Sequence, residues 1–282
     1  MSTYPPERHV LRDLRFETQR LDADHARSWV PRQAALGADD GSFRVAAIAM
    51  VIDVAGASVG LSAATPDWIA TADLAYWTAR PIIEGPAICD TRLVRKGKGV
   101  IVVEADVYDG CGTEHMTGER AGHARMTFSR IPASASAAAG RVDRTGAPTA
   151  RTSISGPDSG LTQPLFDAVG LRFGDDVVGW VECDKSDYVR NSFGTINGGV
   201  VCAIFEASGE RAARAAAGTQ LVARDLQVHF LSQTKVGPAL ATSRVLRSDE
   251  HHAVVESRLV DAGNSDTILA LATTTFGPIN RA

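Results

Sequence analysis

The stretch Asn191-Ser-Phe-Gly-Thr-Ile-Asn197-Gly198-Gly199, followed by an apolar run and then Glu206, carries residue types suited to acyl chemistry. It reads as a polar loop that turns into the first turns of a buried helix. At a helix start the leading backbone N–H groups have no partner within the helix and lie at the positive end of its dipole. Gly198 and Gly199 lack a Cβ, so a ligand carbonyl can come close to that backbone. Such a turn can serve as an oxyanion hole, with fixed donors aimed at developing negative charge. The plainer reading is a glycine-rich turn capping a core helix, with Asn197 as the N-cap. A second candidate is Asp53, inside the apolar run from Val45 to Ala64. A carboxylate there is costly to bury unless it is paired, and Ser58 and Thr71 are the hydroxyls that would satisfy it.

Two long helices and a sheet are needed to hold these residues. Val45–Ala64 contains Gly56 and Gly60, a G-x-x-x-G that is weak evidence outside a clear membrane helix. Its small residues and its aspartate favour the buried helix of a soluble core. Upstream, a strand is expected over Leu11–Leu21 and a short helix over Asp24–Trp29. From Ile69 to about Phe128 the pattern becomes strand-like, with Leu74, Tyr76 and Thr78 alternating and Val100–Val103 β-branched. A chain of 282 residues has room for two domains, and 44% hydrophobic with 22% charged residues is ordinary for a soluble globular protein. The net charge of -4 argues against a nucleic-acid or anionic-membrane partner. The four scattered cysteines argue against a metal site or a disulfide framework and fit a reducing compartment. The start of the chain is polar and lacks the apolar core of a signal peptide, so a cytoplasmic location is expected.

Residues 133–160 are small, polar and punctuated by Gly and Pro, and read as a flexible linker. After it the first half repeats. Asp73-Leu74 and Gly85-Pro86 return as Asp225-Leu226 and Gly237-Pro238; Asp109 returns as Asp261. The offset is a constant 152 (225 − 73, 261 − 109). A period this long means duplicated domains, here 1–132 and 161–282, each a long helix followed by strands in an α+β layering. Asp53 and Glu206 fall within one residue of that register.

At this point the sequence resembles the hotdog-fold acyl-CoA thioesterases of the phenylacetate-degradation type. Their pattern is Asn, then His-Gly-Gly six residues on, then an acid nine residues after that His. Asn191, Asn197-Gly198-Gly199 and Glu206 keep the spacing, with Asn197 in place of His and Glu206 in place of Asp. The resemblance covers about 161–278 directly and the first half through the repeat. It implies a tandem double hotdog, each half an antiparallel sheet wrapped around a long central helix. It also implies active sites built across the pair, the glycine turn from one half and the helix acid from the other. One site would join Asn191, Asn197, Gly198 and Gly199 to Asp53, with Thr71 orienting the attacking water. The reciprocal site would join Glu206 to Arg44-Val45-Ala46, where the glycines are lost; Arg211 or Arg214 would screen Glu206. The resemblance therefore implies one working site per chain and one decayed site. The substrate would be an acyl-CoA or aryl-CoA, coenzyme A entering only as part of it, with no other cofactor and a homodimer of double-hotdog chains.

A different class of reading is a catalytically inactive acyl-CoA-binding protein using the same pocket, which the missing histidine favours. The pair Asp53 and Thr71 favours hydrolysis. His229 reads as a sheet histidine, His251-His252 as a solvated turn, and Cys111 as a cysteine with no base beside it in sequence.

Overall fold

The computed structural model describes residues 4–116, 120–135, 147–174 and 177–278. The chain divides into two compact units. The N-terminal unit comprises Leu11–Arg32 and Ile48–Gly160; the C-terminal unit comprises Met1–Val10, Gln33–Ala47 and Leu161–Ala282.

Within the N-terminal unit the strands are β1 (Glu17–Asp22), β2 (His25–Val30), β3 (Trp68–Thr78), β4 (Ala87–Lys96), β5 (Val100–Asp109), β6 (Gly122–Ile131) and β7 (Thr152–Ser153). They lie in the order β7-β1-β2-β4-β5-β6-β3, each neighbouring pair antiparallel. A short helix α1 (Val10–Asp13) precedes them, and the long helix α2 (Val45–Ala64) lies between β2 and β3 in sequence. Alternate residues of β5 and β6 are buried, as a sheet with one covered face requires. The two helix glycines explain how α2 seats. A Cβ at Gly60 would lie 2.9 Å from Ile69, and one at Gly56 would run into the Met126 thioether. The G-x-x-x-G motif here brings a helix close to a sheet. By length and composition α2 is apolar enough to cross a membrane, and most of it is buried within the protein.

The C-terminal unit has the same plan. Helix α3 (Leu165–Ala168) leads into β8 (Leu171–Phe173) and β9 (Val181–Cys183), then the long helix α4 (Gly198–Ala217). Strands β10 (Leu221–Phe230), β11 (Ala239–Ser248), β12 (Ala253–Asp261) and β13 (Thr267–Pro278) follow, in the order β10-β13-β12-β11-β9-β8 and antiparallel throughout. Gly209 of α4 seats on Phe276, where a Cβ would lie 2.8 Å from the ring. It stands at the register of Gly56.

The duplication extends to detail. β3 bulges between Thr71 and Asp73, and β10 between Ala223 and Asp225. β4 bulges between Leu93 and Arg95, and β11 between Val245 and Arg247. Asp109 accepts from the amides of Ile83, Glu84 and Gly85; Asp261 accepts from Lys235, Val236 and Gly237. Burial pushes these carboxyls up, but the loop amides outweigh it and hold both below the usual carboxylate range. The matched acids noticed in the sequence therefore organise the Gly-Pro loops.

Three expectations need correction. Asp24–Trp29 is not a helix: His25–Val30 forms β2, paired antiparallel with both β1 and β4, with Ala26, Ser28, Trp29 and Val30 buried. Leu11–Leu21 is not one strand but α1 followed by β1. The domain limits 1–132 and 161–282 also differ from the packing. Residues 4–10 join the C-terminal unit because Val10 N–H bonds to Tyr188 O and the buried His9 ring to Arg190 O. Residues 33–47 join it through Asp39, Asp40 and Arg44, which pair with Arg214, Arg224 and Glu206. Of the expected linker 133–160, residues 136–146 lie outside the described ones. The remainder is partly tied down: β7 pairs with β1, and Thr149 bonds to the Arg20 backbone in both directions.

Candidate active site

The glycine turn is built within the C-terminal unit by its two asparagines. Asn191 Oδ1 accepts from the amides of Phe193 (2.9 Å) and Thr195 (3.2 Å), while its own amide bonds to Thr195 O at 2.7 Å. Gly194 takes a left-handed φ of 77° at the tip, where a side chain would be strained. The Arg190↔Ile196 bridge and the bond from Asn197 N–H to Val189 O (2.8 Å) close the hairpin. Asn191 thus shapes the loop from within.

Asn197 is the N-cap of α4. Its Oδ1 accepts the Gly199 N–H at 2.9 Å. The expectation that Gly199 offers a free donor is corrected: in this state that donor is held by the cap. The same bond fixes the amide so that Asn197 Nδ2 points elsewhere, and it makes no other hydrogen bond among the described residues.

In the N-terminal unit, Asp53 sits in the middle of α2 and is nearly fully buried, 9% exposed. Thr71, at the β3 bulge, donates its hydroxyl to Asp53 Oδ1 at 2.8 Å. Burial pushes the Asp53 carboxyl up to about 6, against the downward pull of that bond. Ser58 is not its partner; the guanidinium of Arg20 lies 3.5 Å from that hydroxyl.

The structure brings Glu206 and Arg44 together in the C-terminal unit. Glu206 is 1% exposed, and its Oε2 accepts the Ala46 N–H at 2.6 Å, so it caps the first turn of α2. Arg44 reaches Glu206 at 3.3 Å and Glu210 at 2.9 Å, and its guanidinium lies over the Phe166 ring at 4.1 Å. Arg214 joins Glu210 (2.7 Å) to Asp39 (2.8 Å). Burial pushes Glu206 up to about 7 although Arg44 pulls it down; Glu210 is raised for the same reason. Burial works against the Arg44 charge, but its two carboxylates outweigh that and raise its pKa.

Arg44, not Arg211 or Arg214, screens Glu206. Arg211 bonds to Gly174 O and lies over Phe173, and Arg214 serves Glu210. Sequence reasoning missed Glu210 and Asp39. The signal for Glu210 was present: Glu206, Glu210 and Arg214 follow at i, i+4 and i+8, one face of a helix.

The cysteines are all free thiols. Burial pushes Cys89 and Cys183 up to about 12, so neither is a thiolate. Among the described residues no three His, Cys, Asp or Glu side chains gather as a metal set.

Residues 193–268 match the model of the thioesterase superfamily. Three solved structures share the fold over most of both chains. The tesB protein of Mycobacterium avium subs paratuberculosis has a TM-score of 0.59 at 11% identity, covering 92% of this chain and 94% of that one. The 12:0-ACP thioesterase of Umbellularia californica has 0.57 at 11%, covering 90% and 94%. The acyl-ACP thioesterase of Bacteroides thetaiotaomicron has 0.51 at 9%, covering 89% and 97%. No curated protein matches the sequence. The fold is a tandem double hotdog, an α+β arrangement. Its C-terminal half carries the match to the thioesterase superfamily, over the residues that begin at the glycine turn and end in β13.

Proposed function

We propose that the chain hydrolyses an acyl or aryl thioester of coenzyme A, as the phenylacetate-degradation-type thioesterases do, with one working site per chain. The observation that carries this reading is Asp53. It is a buried carboxylate whose partner is a hydroxyl, Thr71 at 2.8 Å, with no cation beside it among the described residues, and its pKa is pushed up to about 6. A base poised near neutral pH is what proton abstraction from water requires.

The glycine turn, in this reading, serves Asp53. Support comes from the counterpart: Glu206, at the Asp53 register, meets the backbone N–H of Ala46 in the stretch at the glycine-turn register. In the reaction the thioester oxygen takes the Gly198 N–H and the Asn197 Nδ2 amide, the donors left once Gly199 is held by the cap. Asp53 removes a proton from water as the water oxygen bonds to the carbonyl carbon. The C–S bond then breaks and the thiolate takes that proton, releasing the acid and the thiol of coenzyme A. Direct attack by Asp53 through a mixed anhydride is the other route. Thr71 holds the carboxylate in place for either. The four free cysteines are consistent with a cytoplasmic enzyme, and a homodimer of such chains is part of the proposal.

One observation favours the second reading, a binding protein without turnover. Gly199 N–H is spent on Asn197, where the family has a histidine. Release of free thiol from a panel of acyl- and aryl-CoA thioesters, run beside equilibrium binding of the same compounds, separates the two. Hydrolysis of any member supports the thioesterase. Tight binding with no release across the panel establishes the binding protein.

A further inference from the structure

The turn at Gly198-Gly199 is rooted in Tyr188-Val189-Arg190, whose three carbonyls are all taken. Tyr188 O accepts the Val10 N–H at 3.0 Å, and Val189 O accepts the Asn197 N–H at 2.8 Å. Val10 opens α1, so its N–H has no partner inside that helix. Arg190 O bonds to the His9 ring at 2.7 Å, across 181 residues of sequence. A carbonyl oxygen only accepts, so His9 Nε2 carries the proton in this bond. The ring is fully buried, and Tyr4 meets it edge-on with the centroids 5.4 Å apart.

Arg190 O belongs to the same peptide unit as the Asn191 N–H, which donates to Thr195 O at 2.7 Å. The plane of that peptide is held at both ends, by the imidazole and by the loop, and hydrogen bonds in series polarise one another. Asn191 Oδ1 then holds the amides of Phe193 and Thr195, and the hairpin returns through Ile196 to Asn197, the cap of α4. Each later bond of the turn starts from the orientation of that first peptide.

The sister loop over 36–44 supplies a contrast. At an offset of 153 (195 − 42, 197 − 44) it repeats the hairpin. Ala38 N–H bonds to Ser42 O at 2.7 Å and Arg44 N–H to Leu36 O at 2.8 Å, and Gly41 takes a φ of 80° where Gly194 takes 77°. Helix α3 answers to α1 at an offset of 155 (165 − 10), with Pro164 where α1 has His9. Proline has no side-chain donor. The turn that keeps its glycines has an imidazole at its root; for the turn that lost them, the matching position carries none.

We propose that His9 is a positioning residue for the glycine turn, acting through Arg190 O to set the peptide from which the Asn197 and Gly198 donors are aimed. The inference rests on the thioester reading for what those donors do, and on hydrogen bonds alone for the brace itself.

Two substitutions separate the donor from its bulk. His9→Phe fills the space without an N–H and leaves a buried carbonyl unpaired, whereas His9→Gln keeps an N–H. In His9→Phe, exchange of the Phe193 and Thr195 amides read by NMR should quicken roughly 10-fold, with Ile204 in α4 unchanged. Thiol release should lose roughly 10-fold in kcat, with KM within about twofold of wild type. His9→Gln should restore most of both. Wild-type exchange at Phe193 and Thr195 in a folded His9→Phe, or a quickening that Ile204 shares, overturns the proposal. So does a loss of thiol release carried by KM alone, or a His9→Gln no better than His9→Phe. In the wild type, the imidazole nitrogen resonances should show Nε2 protonated; a bare Nε2 overturns the proposal even where neither variant folds. Absence of thiol release from the wild type would sink the thioesterase reading, while the exchange rates still decide the brace.

Discussion

Asp53 and Glu206 stand at matching places in two helices of matching length, and their surroundings differ in every respect that matters for chemistry. Among the described residues Asp53 has one neutral partner, the Thr71 hydroxyl. Glu206 has a backbone N–H, a guanidinium and a second carboxylate around it, and the guanidinium is itself stacked on an aromatic ring. Both carboxyls are raised by burial, so pKa alone does not separate them. The difference lies in what each would have to give up in order to react. Removing Glu206 from its place uncaps α2 and leaves Arg44 with half its compensation; Asp53 gives up a single hydroxyl. The duplication places an acid in each long helix, and the one at Glu206 meets the Ala46 N–H as a structural cap.

The contrast can be broken or sharpened by substitution. Glu206→Ala strands the Ala46 N–H and half-strands Arg44, and should cost about 3 kcal/mol of stability in denaturant unfolding, as breaking buried pairs does. A cost well under 1 kcal/mol would remove the structural role assigned to Glu206. Next is pH. The Asp53 carboxyl is raised from 3.8 to about 6 on folding, so its protonated form favours the folded state. That contribution is complete below about pH 4 and is lost as pH rises through about 6. Asp53→Asn should therefore gain up to about 3 kcal/mol relative to wild type above that window and nothing below it. If the gap between the two does not widen with pH, the carboxyl is not buried as described. Thr71→Val removes the bond that pulls the Asp53 pKa down. The acid limb of kcat/KM should move to higher pH, with a fall of roughly 10-fold at neutral pH. Smallest is the cap. Asn197→Ala should cost about 1 kcal/mol. Asn197→Asp, which keeps an acceptor for Gly199 but loses the amide donor, should keep stability and lose turnover.

Much of this was legible in the sequence because duplication leaves a ruler. The constant offset located both helices and the paired Gly-Pro loops, and it marked Asp53 against Glu206 without any coordinates. The spacing from Asn191 to Glu206 located the turn. What stayed hidden was partner choice over distance. The hold of Asn197 on Gly199 follows from the local N-cap reading, but nothing local says that Arg44 rather than Arg214 reaches Glu206, since 162 residues separate that pair. β2 is not legible in the sequence because its buried residues, Ala26, Ser28, Trp29 and Val30, follow no steady alternation. The packing of 33–47 with the C-terminal unit was invisible for the same reason as the Arg44 pair: ion pairs between remote segments leave no periodic trace.

The central claim is that one helix acid is open to chemistry and the other is closed. Free-thiol release from a turned-over CoA thioester by Asp53→Asn and Glu206→Gln, side by side at pH 8, tests it most directly. Asp53→Asn should lose about 10² to 10⁴ of the rate, and Glu206→Gln should stay within about threefold of wild type, provided both remain folded. The reverse pattern, with Glu206→Gln inactive and Asp53→Asn active, would contradict the account.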